Sequence, residues 1–255
     1  MNMFDLPGRR VAIVTGGNGG IGLGMARGLA GAGAGLMIVG RDQTKNADAV
    51  KQLSTLDVTA VSVAADLADE AACRSVVEET VARFGRLDIL VNNAGIGVAK
   101  RPEELSTDEW RKTLDTNLSS AFWLSQAAYP ELKRAGRGKI INIGSMMSIF
   151  GAPFAAAYAA SKGGLVQLTK ALATAWAAEN IQVNAVLPGW IDTDLTRMAR
   201  DHVDGLNEQV LARTPAGRWG VPEDLAGVAV FLPSPASDFV TGAAIPVDGG
   251  FAAQG

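Results

Sequence analysis

Short apolar runs alternate with segments of helical periodicity along most of the chain, and this alternation limits the fold more than any other feature. The runs lack a polar–apolar pattern, which indicates strands that are buried on both faces of a sheet. Buried strands separated by helices pair in parallel, and right-handed crossovers place the helices on both faces. The predicted strands are residues 11–14, 36–39, 58–63, 87–91, 139–143, 181–187 and 244–247. The predicted helices are residues 22–31, 44–56, 69–84, 107–134 and 156–179. We therefore predict an α/β fold, in which a single domain over residues 1–255 is built on a doubly wound parallel sheet with helices on both faces.

Charge and composition argue against several classes of function. The 255 residues have a net charge of −3, and 48% of the side chains are apolar. The sequence shows no basic stripe of the kind that nucleic-acid binding requires. The first residues show no basic segment followed by an apolar run, and no stretch is apolar enough to span a bilayer. We expect a cytoplasmic protein without nucleic-acid or membrane partners.

The chain has one cysteine, Cys73, and one histidine, His202. A single cysteine excludes an intramolecular disulfide and a cysteine-rich metal site, and we predict no metal. Cys73 lies in a predicted helix as a semi-buried small residue, and we interpret His202 as a solvated or lid residue. Acid–base chemistry therefore falls to tyrosine, lysine, aspartate or glutamate side chains.

The first predicted strand runs into a glycine-rich loop, residues 15–22, and a helix follows at once. Glycines let the backbone approach a pyrophosphate, and the helix N-terminus offers it unpaired N–H groups and a positive dipole end. The loop fits both G-x-G-x-x-G and T-G-x-x-x-G-x-G. This strand–loop–helix context predicts a Rossmann-type dinucleotide site. Its candidate cofactor-binding residues are Gly16, Asn18, Gly19, Gly20 and Ile21.

The end of the second predicted strand bears on the choice of cofactor. An acidic residue there would bind the adenosine ribose 2′-hydroxyl, whereas a basic residue favours a 2′-phosphate. Gly40 leaves the usual acidic position without a side chain, and Arg41 can pair with a phosphate. This favours NADP(H). NAD(H) stays open, because a shift of one residue would bring Asp42 to the ribose.

A serine, a tyrosine and a lysine carry the predicted proton chemistry. Ser145 directly follows the fifth predicted strand, and Tyr158 begins the next helix with Lys162 four residues later. This spacing puts Tyr158 and Lys162 on one helical face, where an ammonium is expected to lower the pKa of the phenol from its usual value of about 10. Tyr158 can then exchange a proton with a carbonyl or alcohol oxygen, which Ser145 can hold by a hydrogen bond.

Further short motifs follow the other predicted strands, and most of them fall at carboxyl ends, the edge where open α/β sheets bind ligands. The motifs are Thr15-Gly16-x-x-x-Gly20-x-Gly22, Asp66-Leu67, Asn92-Asn93-Ala94-Gly95, Asn117, Ser145, Tyr158-x-x-x-Lys162, Pro188-Gly189 and Val247-Asp248-Gly249-Gly250. In this order and spacing the chain resembles the short-chain dehydrogenase/reductase family over essentially its whole length. Residues 144–151 and 189–195 are most similar to the sugar-acid dehydrogenases of that family, such as 2-deoxy-gluconate 3-dehydrogenases and gluconate 5-dehydrogenases.

The resemblance implies a nicotinamide-dependent oxidoreductase and a role for each motif. Asp66 would bind the adenine amino group beside the backbone of Leu67, and Asn92 would lie beside the cofactor ribose. Lys162 would also hold the nicotinamide ribose, and Asn117 would support a water that relays protons from Lys162 to solvent. The remaining implied cofactor contacts are Asn93, Ala94, Gly95, Pro188, Gly189, Ile191 and Thr193. Members of the family are commonly homotetramers, so the resemblance also implies that assembly.

The substrate is less constrained than the chemistry. Residues 190–220 are polar, helix-like and inserted after a strand, which favours a substrate lid or loop. Several apolar side chains are expected to give a fairly apolar pocket, and some of them could equally be core. These are Met146, Met147, Phe150, Phe154 and Trp190. We predict an alcohol dehydrogenase or carbonyl reductase of loose specificity that acts on a small-molecule ketone or secondary alcohol, with sugar acids and aryl or alkyl ketones equally open.

Three other functions compete with this interpretation. A sugar-nucleotide epimerase or dehydratase shares Y-x-x-x-K but usually has a longer C-terminal substrate region. A reductase of acyl-carrier-protein substrates would need a basic docking patch, for which residues 100–101 and 197–200 are weak candidates. A non-catalytic, cofactor-binding regulator would have no need for Ser145, Tyr158 and Lys162.

Overall fold

The structure, a computed structural model, describes residues 3–6 and 9–254, apart from the side chains of residues 201 and 202. Within this part of the chain, the strands form a seven-stranded sheet in the order β3-β2-β1-β4-β5-β6-β7. Every adjacent pair of strands is parallel. The strands are β1 (Val11–Thr15), β2 (Gly35–Gly40), β3 (Ala60–Ala64), β4 (Ile89–Asn92), β5 (Gly138–Ile143), β6 (Ile181–Pro188) and β7 (Ala244–Val247). The predicted doubly wound parallel sheet is confirmed.

Helices cover both faces of this sheet. They are α1 (Gly20–Gly31), α2 (Gln43–Leu53), α3 (Glu70–Phe84), α4 (Thr107–Leu114), α5 (Ser120–Arg134), α6 (Ala156–Trp176), α7 (Asp194–His202), α8 (Leu206–Arg213) and α9 (Ala226–Phe231). Successive strand residues point to opposite faces. Ala12 and Val14 of β1 therefore pack in one core with α1, α2 and α9, and Ile13 packs in another with α3, α5 and α6. None of the helices described is long and apolar enough to cross a membrane.

The long helix predicted over residues 107–134 is interrupted. A π-helical turn, Asp115–Ser119, separates α4 from α5. Single π turns inside helices often occur at functional sites, and this one contains Asn117. The other differences are smaller, because the predicted helices 44–56 and 156–179 each end in a short 3-10 turn. The short helix α9 was not predicted.

Residues 190–220 fold as two helices, α7 and α8, with the connections around them. The guanidinium groups of Arg197 and Arg200 both pair with the carboxylate of Asp192, and Arg200 also lies over the ring of Trp219 at 4.2 Å. These contacts hold the segment beside the carboxyl end of β6. The prediction about the side chain of His202 lies outside the described residues.

Candidate active site

The carboxyl ends of β1, β2, β4, β5 and β6 open into one cleft of about 1380 Å³. Except for Asn92, every residue predicted to lie at the cofactor lines this cleft, as do Ser145 and most of the residues predicted to form the substrate pocket. Residues that lie far apart in the sequence therefore meet at one edge of the sheet, as the strand–helix alternation implies.

The glycine-rich loop leaves the N-terminus of α1 open toward the cleft. Gly19 caps this helix without a side-chain hydrogen bond, and no acidic residue lies in the first turn. Gly16 and Gly20 have positive φ angles of 60° and 49°. A Cβ atom at Gly22 would lie only 2.2 Å from the carbonyl oxygen of Gly16. Free N–H groups, a positive dipole end and close backbone packing fit the pyrophosphate of a dinucleotide.

Asn93 and Thr15 fix the glycine-rich loop to the end of β4. The side-chain amide of Asn93 donates to the carbonyl oxygens of Thr15 and Gly16, at 2.8 and 3.2 Å. The hydroxyl of Thr15 accepts from the backbone N–H groups of Asn93 and Ala94, at 2.9 Å each. These contacts give Asn93 a positioning role for the loop, in addition to its place in the cleft.

Asn92 does not line the cleft, contrary to the position that the resemblance implied for it. Its side-chain amide donates to Asn142 Oδ1 at 2.9 Å and to the hydroxyl of Ser125 at 3.3 Å. Because side chains alternate along a strand, Asn92 points into the buried space between β4, β5 and α5.

The adenosine end of the cleft depends on Asn46, a residue that the sequence analysis did not select. Its amide donates to the carbonyl oxygens of Gly40 and Val63, at 2.9 and 3.2 Å, and its Oδ1 accepts from Asn18 at 2.7 Å. A Cβ atom at Gly40 would lie 2.2 Å from Asn18 Nδ2 and 2.6 Å from Asn46 Oδ1, so a side chain at the usual acidic position would displace these two amides. An asparagine within a polar amphipathic helix gives no signal of such a role.

The three charged residues after β2 have different environments. The carboxylate of Asp42 caps α2, because it accepts from the backbone N–H groups of Thr44 and Lys45 at 2.9 and 3.0 Å. Asp42 is therefore occupied, which weakens the alternative in which it binds a ribose hydroxyl. Arg41 and Lys45 are exposed and line the cleft, and Lys45 Nζ lies 3.6 Å from Asp194.

Ser145, Tyr158 and Lys162 meet at the centre of the cleft. Ser145 and Tyr158 both line the cleft, and the Ser145 hydroxyl accepts from the backbone N–H of Met147 at 3.1 Å. Lys162 lies one helical turn after Tyr158, with its Nζ atom 5.7 Å from the centre of the tyrosine ring. The same Nζ donates to the carbonyl oxygen of Ile143 at 2.7 Å. The predicted arrangement of the three side chains is thus present.

The pKa shifts of this pair differ from the expected ones. Burial raises the pKa of the Tyr158 phenol above its ordinary value, and the hydrogen bond with Ser145 lowers it by less. Burial also lowers the pKa of Lys162, to about 8. The predicted lowering of the Tyr158 pKa by Lys162 is therefore not produced by the protein groups alone. Desolvation disfavours both the phenolate of Tyr158 and the ammonium of Lys162.

Asn117 lies behind the cleft rather than in its wall. Its amide donates to the carbonyl oxygen of Ile96 at 2.9 Å and to the hydroxyl of Ser161 at 3.0 Å, and its Oδ1 accepts from the N–H of Ile96 at 2.8 Å. A Cβ atom at Gly95 would lie 3.4 Å from both Asn117 Oδ1 and Lys162 Nζ. Asn117 therefore fixes the loop after β4 and lies close to the lysine.

The substrate end of the cleft is mostly apolar. Met146, Met147, Phe154 and Trp190 line it as predicted, and Met146 is almost fully buried. Phe150 does not line it. The Phe150 ring packs edge-on against Phe251, with ring centres 6.2 Å apart, so it belongs to the core behind the site.

The cations proposed as a docking patch are each paired with a carboxylate. Lys100 pairs with Glu109, and Arg101 pairs with Glu103. Together with the pairing of residues 197 and 200 to Asp192, this leaves no concentrated positive surface at those positions. In the described part of the chain, no group of three or more histidine, cysteine, aspartate or glutamate side chains could hold a metal ion.

The chain is similar to known proteins over nearly its whole length. Residues 16–252 match the family profile described as enoyl-(acyl carrier protein) reductase. The chain is 42% identical over 255 residues to 2-dehydro-3-deoxy-D-gluconate 5-dehydrogenase of Dickeya dadantii strain 3937, covering 100% of this chain and 99% of that protein. It is 39% identical over 250 residues to gluconate 5-dehydrogenase of Gluconobacter oxydans strain 621H, covering 98% and 96%. The crystal structure of a gluconate 5-dehydrogenase from Burkholderia cenocepacia J2315, in complex with NADP and tartrate, is similar with a TM-score of 0.93 and 40% identity, covering 100% of this chain and 99% of that one.

Proposed function

This chain belongs to the short-chain dehydrogenase/reductase family and is an NAD(P)-dependent oxidoreductase that interconverts a secondary alcohol and a ketone; on that premise, we propose that it prefers NADP(H) and uses Tyr158 as its acid and base. One observation carries the proposal. Ser145, Tyr158 and Lys162 meet in a cleft whose other end is an open helix N-terminus behind a glycine-rich loop.

The residues that line the cleft fit a dinucleotide from end to end. The backbone of the glycine-rich loop and the N-terminus of α1 would hold the pyrophosphate. Asp66 and Leu67 would bind the adenine, Ile191 and Thr193 would meet the carboxamide and phosphate region, and Lys162 would hold the nicotinamide ribose. When bound, the reduced cofactor supplies the hydride.

The preference for NADP(H) rests on the charges after β2. No acidic side chain is available at Gly40, Asp42 is occupied as a helix cap, and Arg41 and Lys45 offer two exposed cations to a 2′-phosphate. The gluconate 5-dehydrogenase of Burkholderia cenocepacia J2315 was crystallised with NADP. Charge-assisted hydrogen bonds are worth about 1.5–3 kcal/mol each.

Titration of the protein with NADPH and NADH tests the cofactor preference. Arg41→Ala is expected to weaken NADPH binding by about 10-fold to 100-fold and to leave NADH binding nearly unchanged. Arg74→Ala, at an exposed arginine on α3 that pairs with Glu70, is the matched control. Equal losses for both cofactors, or no loss for NADPH, would contradict the assignment of Arg41.

The proton chemistry is carried by residues of the chain. Tyr158 donates its phenolic proton to the carbonyl oxygen during reduction and accepts a proton from the alcohol during oxidation. Ser145 holds the same oxygen by a hydrogen bond. The Lys162 ammonium stabilises the tyrosinate that remains, and Asn117 supports the water through which that tyrosinate regains its proton.

A wild-type assay tests the activity itself. With NADPH and a panel of ketones and keto acids, the protein is expected to form one alcohol for each NADPH consumed. Tight NADPH binding without turnover of any carbonyl compound or alcohol would favour the cofactor-binding regulator instead.

We also propose that the protein is a cytoplasmic homotetramer with residues 190–220 as a substrate lid. Trp110 on α4 and Phe122 on α5 have relative exposures of 39% and 41%, and such apolar residues suit an interface. Phe251 near the C-terminus is buried in the chain's own core and offers no such surface. Light scattering after size-exclusion chromatography tests the assembly, and a monomer would contradict it.

A further inference from the structure

Apolar side chains from four segments line the cleft that contains Tyr158 and Ser145. They are Val98, Met147, Phe154, Trp190, Leu195 and Met198. The side chains of Leu195 and Met198, on α7, are 40% and 56% exposed. Burial of such surface against a ligand is favourable only when the ligand itself is apolar.

The substrate end has no free cation for a carboxylate. Among the described residues, the cations that line the cleft are Arg41, Lys45 and Lys162. Arg41 and Lys45 follow β2 at the adenosine end. Lys162 is 3% exposed, and its Nζ donates to the carbonyl oxygen of Ile143 at 2.7 Å. Lys162 is thus engaged by the protein, and the other two cations lie at the adenosine end.

The arginines of α7 do not supply one either. The guanidinium groups of Arg197 and Arg200 share the carboxylate of Asp192, and Arg200 also stacks on Trp219. Asp194, 78% exposed at the cleft, pairs with Lys45 and Arg197. The charges on this segment are therefore paired with one another, and neither arginine is left unpaired for a bound anion.

Hydroxyl-rich substrates also find few partners. The hydroxyl of Thr196 donates to the carbonyl oxygen of Ile191 at 2.6 Å and accepts from the N–H of Thr193 at 2.9 Å. The hydroxyl of Thr193 lies 3.2 Å from that of Thr196. Both threonines are thus engaged within the cap of α7, and their hydroxyls offer a polyol little in exchange for the hydrogen bonds that it loses to water.

Resting on the proposed oxidoreductase function, we infer that the substrate is an uncharged ketone or secondary alcohol with apolar, aryl or alkyl, substituents rather than a sugar acid. This departs from the substrates named for the relatives. In the reduction, the carbonyl carbon gains the hydride of NADPH and the oxygen gains the proton of Tyr158. Ketone, NADPH and one proton thus give alcohol and NADP⁺.

Two substrates with wild-type enzyme separate the possibilities. The kcat/KM for acetophenone with NADPH is expected to exceed that for 5-keto-D-gluconate by about 100-fold or more, because a site without partners strongly rejects a charged group. Turnover of the keto acid alone would overturn the inference and leave the proposed function standing. Comparable kcat/KM values for the two compounds would overturn the inference as well. Failure of the whole panel of ketones and keto acids, with NADPH bound, would overturn both the inference and the proposed function.

Phe154 provides a second test, because it lines the cleft only four residues before Tyr158. Phe154→Arg is expected to lower the KM for 5-keto-D-gluconate by about 10-fold and to raise the KM for acetophenone by a similar factor. Phe154→Leu is the matched control, since it removes the ring and adds no charge. This variant should raise the KM for acetophenone a few-fold and leave the KM for 5-keto-D-gluconate unchanged. An unchanged acetophenone KM in both variants would overturn the place of Phe154 at the substrate.

Discussion

The two ends of the active-site cleft are built in different ways. The cofactor end is made of backbone, glycines and buried amides, which are fixed to one another across β1, β2 and β4. The substrate end is made of long apolar side chains, several of them exposed, that reach in from loops and from α7. The first end has almost no freedom to change, whereas the second can be altered by side-chain replacement without disturbing the sheet.

This difference follows from what each end has to do. A pyrophosphate is bound by backbone N–H groups, so the loop geometry itself is the binding site. An apolar ketone is bound by contact area, which many combinations of side chains can supply. A fold of this kind can therefore keep its cofactor chemistry while its substrates vary.

The largest effect is expected where the cofactor end is packed most tightly. Gly22→Ala would place a Cβ atom 2.2 Å from the carbonyl oxygen of Gly16. The loop must shift, so we expect destabilisation of about 3 kcal/mol or more, together with loss of NADPH binding. Gly31→Ala is the control in the same helix, because nothing lies within 4 Å of its added Cβ atom. Thermal unfolding of both variants measures the difference, and equal melting temperatures would contradict the account.

A smaller loss is expected at Asn46. Asn46→Ala leaves the carbonyl oxygens of Gly40 and Val63 without their side-chain donor, which costs about 1–3 kcal/mol. We expect lower stability in urea and weaker NADPH binding, because Asn18 also loses its partner. Lys51→Ala, on the same helix α2, should change neither quantity. A neutral Asn46→Ala variant would show that the adenosine end does not depend on this amide.

Tyr158 and Lys162, which lie between the two ends of the cleft, should make the reaction rate depend on pH in alkaline solution. Burial raises the pKa of Tyr158, so the phenol keeps its proton through neutral pH. Burial lowers the pKa of Lys162 to about 8, so its ammonium is lost above that value. Reduction requires both protons, and kcat/KM should therefore fall above pH 8 by about tenfold per pH unit. A pH–rate profile that stays flat well above this range would exclude Lys162 as the controlling group.

The smallest effect is expected in the lid segment. Arg200→Gln removes a stacking contact with Trp219 and an ion pair with Asp192, and a cation–π contact is worth about 0.5–1 kcal/mol. The KM for the ketone should rise a few-fold while the Kd of NADPH stays the same. Arg197→Gln, which removes an exposed ion pair to the same Asp192, should change little. A larger change in the Kd of NADPH than in the KM for the ketone would contradict the view that the two ends of the cleft act independently.

The fold and the cofactor end could be predicted from sequence for a physical reason. Buried parallel strands give continuous apolar runs, and their carboxyl ends must meet at one edge. The glycines at residues 16–22 and the motifs after later strands therefore had to converge, and they line one cleft.

What the sequence could not predict depends on tertiary contacts. The π turn around Asn117 is stabilised by contacts with Ile96 and Ser161, which lie far along the chain. The orientation of Asn92 and the hydrogen bonds of Asn46 depend on neighbouring strands. Desolvation of Tyr158 outweighs the nearby lysine, and spacing along a helix contains no information about burial.

The turnover of Tyr158→Phe tests the central claim most directly, because it removes one oxygen atom from the centre of the cleft. NADPH titration should show that the variant still binds the cofactor, since the glycine-rich loop and Arg41 are untouched. Single-turnover reduction of a ketone by the bound NADPH should then be about 10²-fold to 10⁴-fold slower than in the wild-type enzyme. A rate within a few-fold of wild type, with the cofactor bound, would contradict the assignment of Tyr158 as the acid and base.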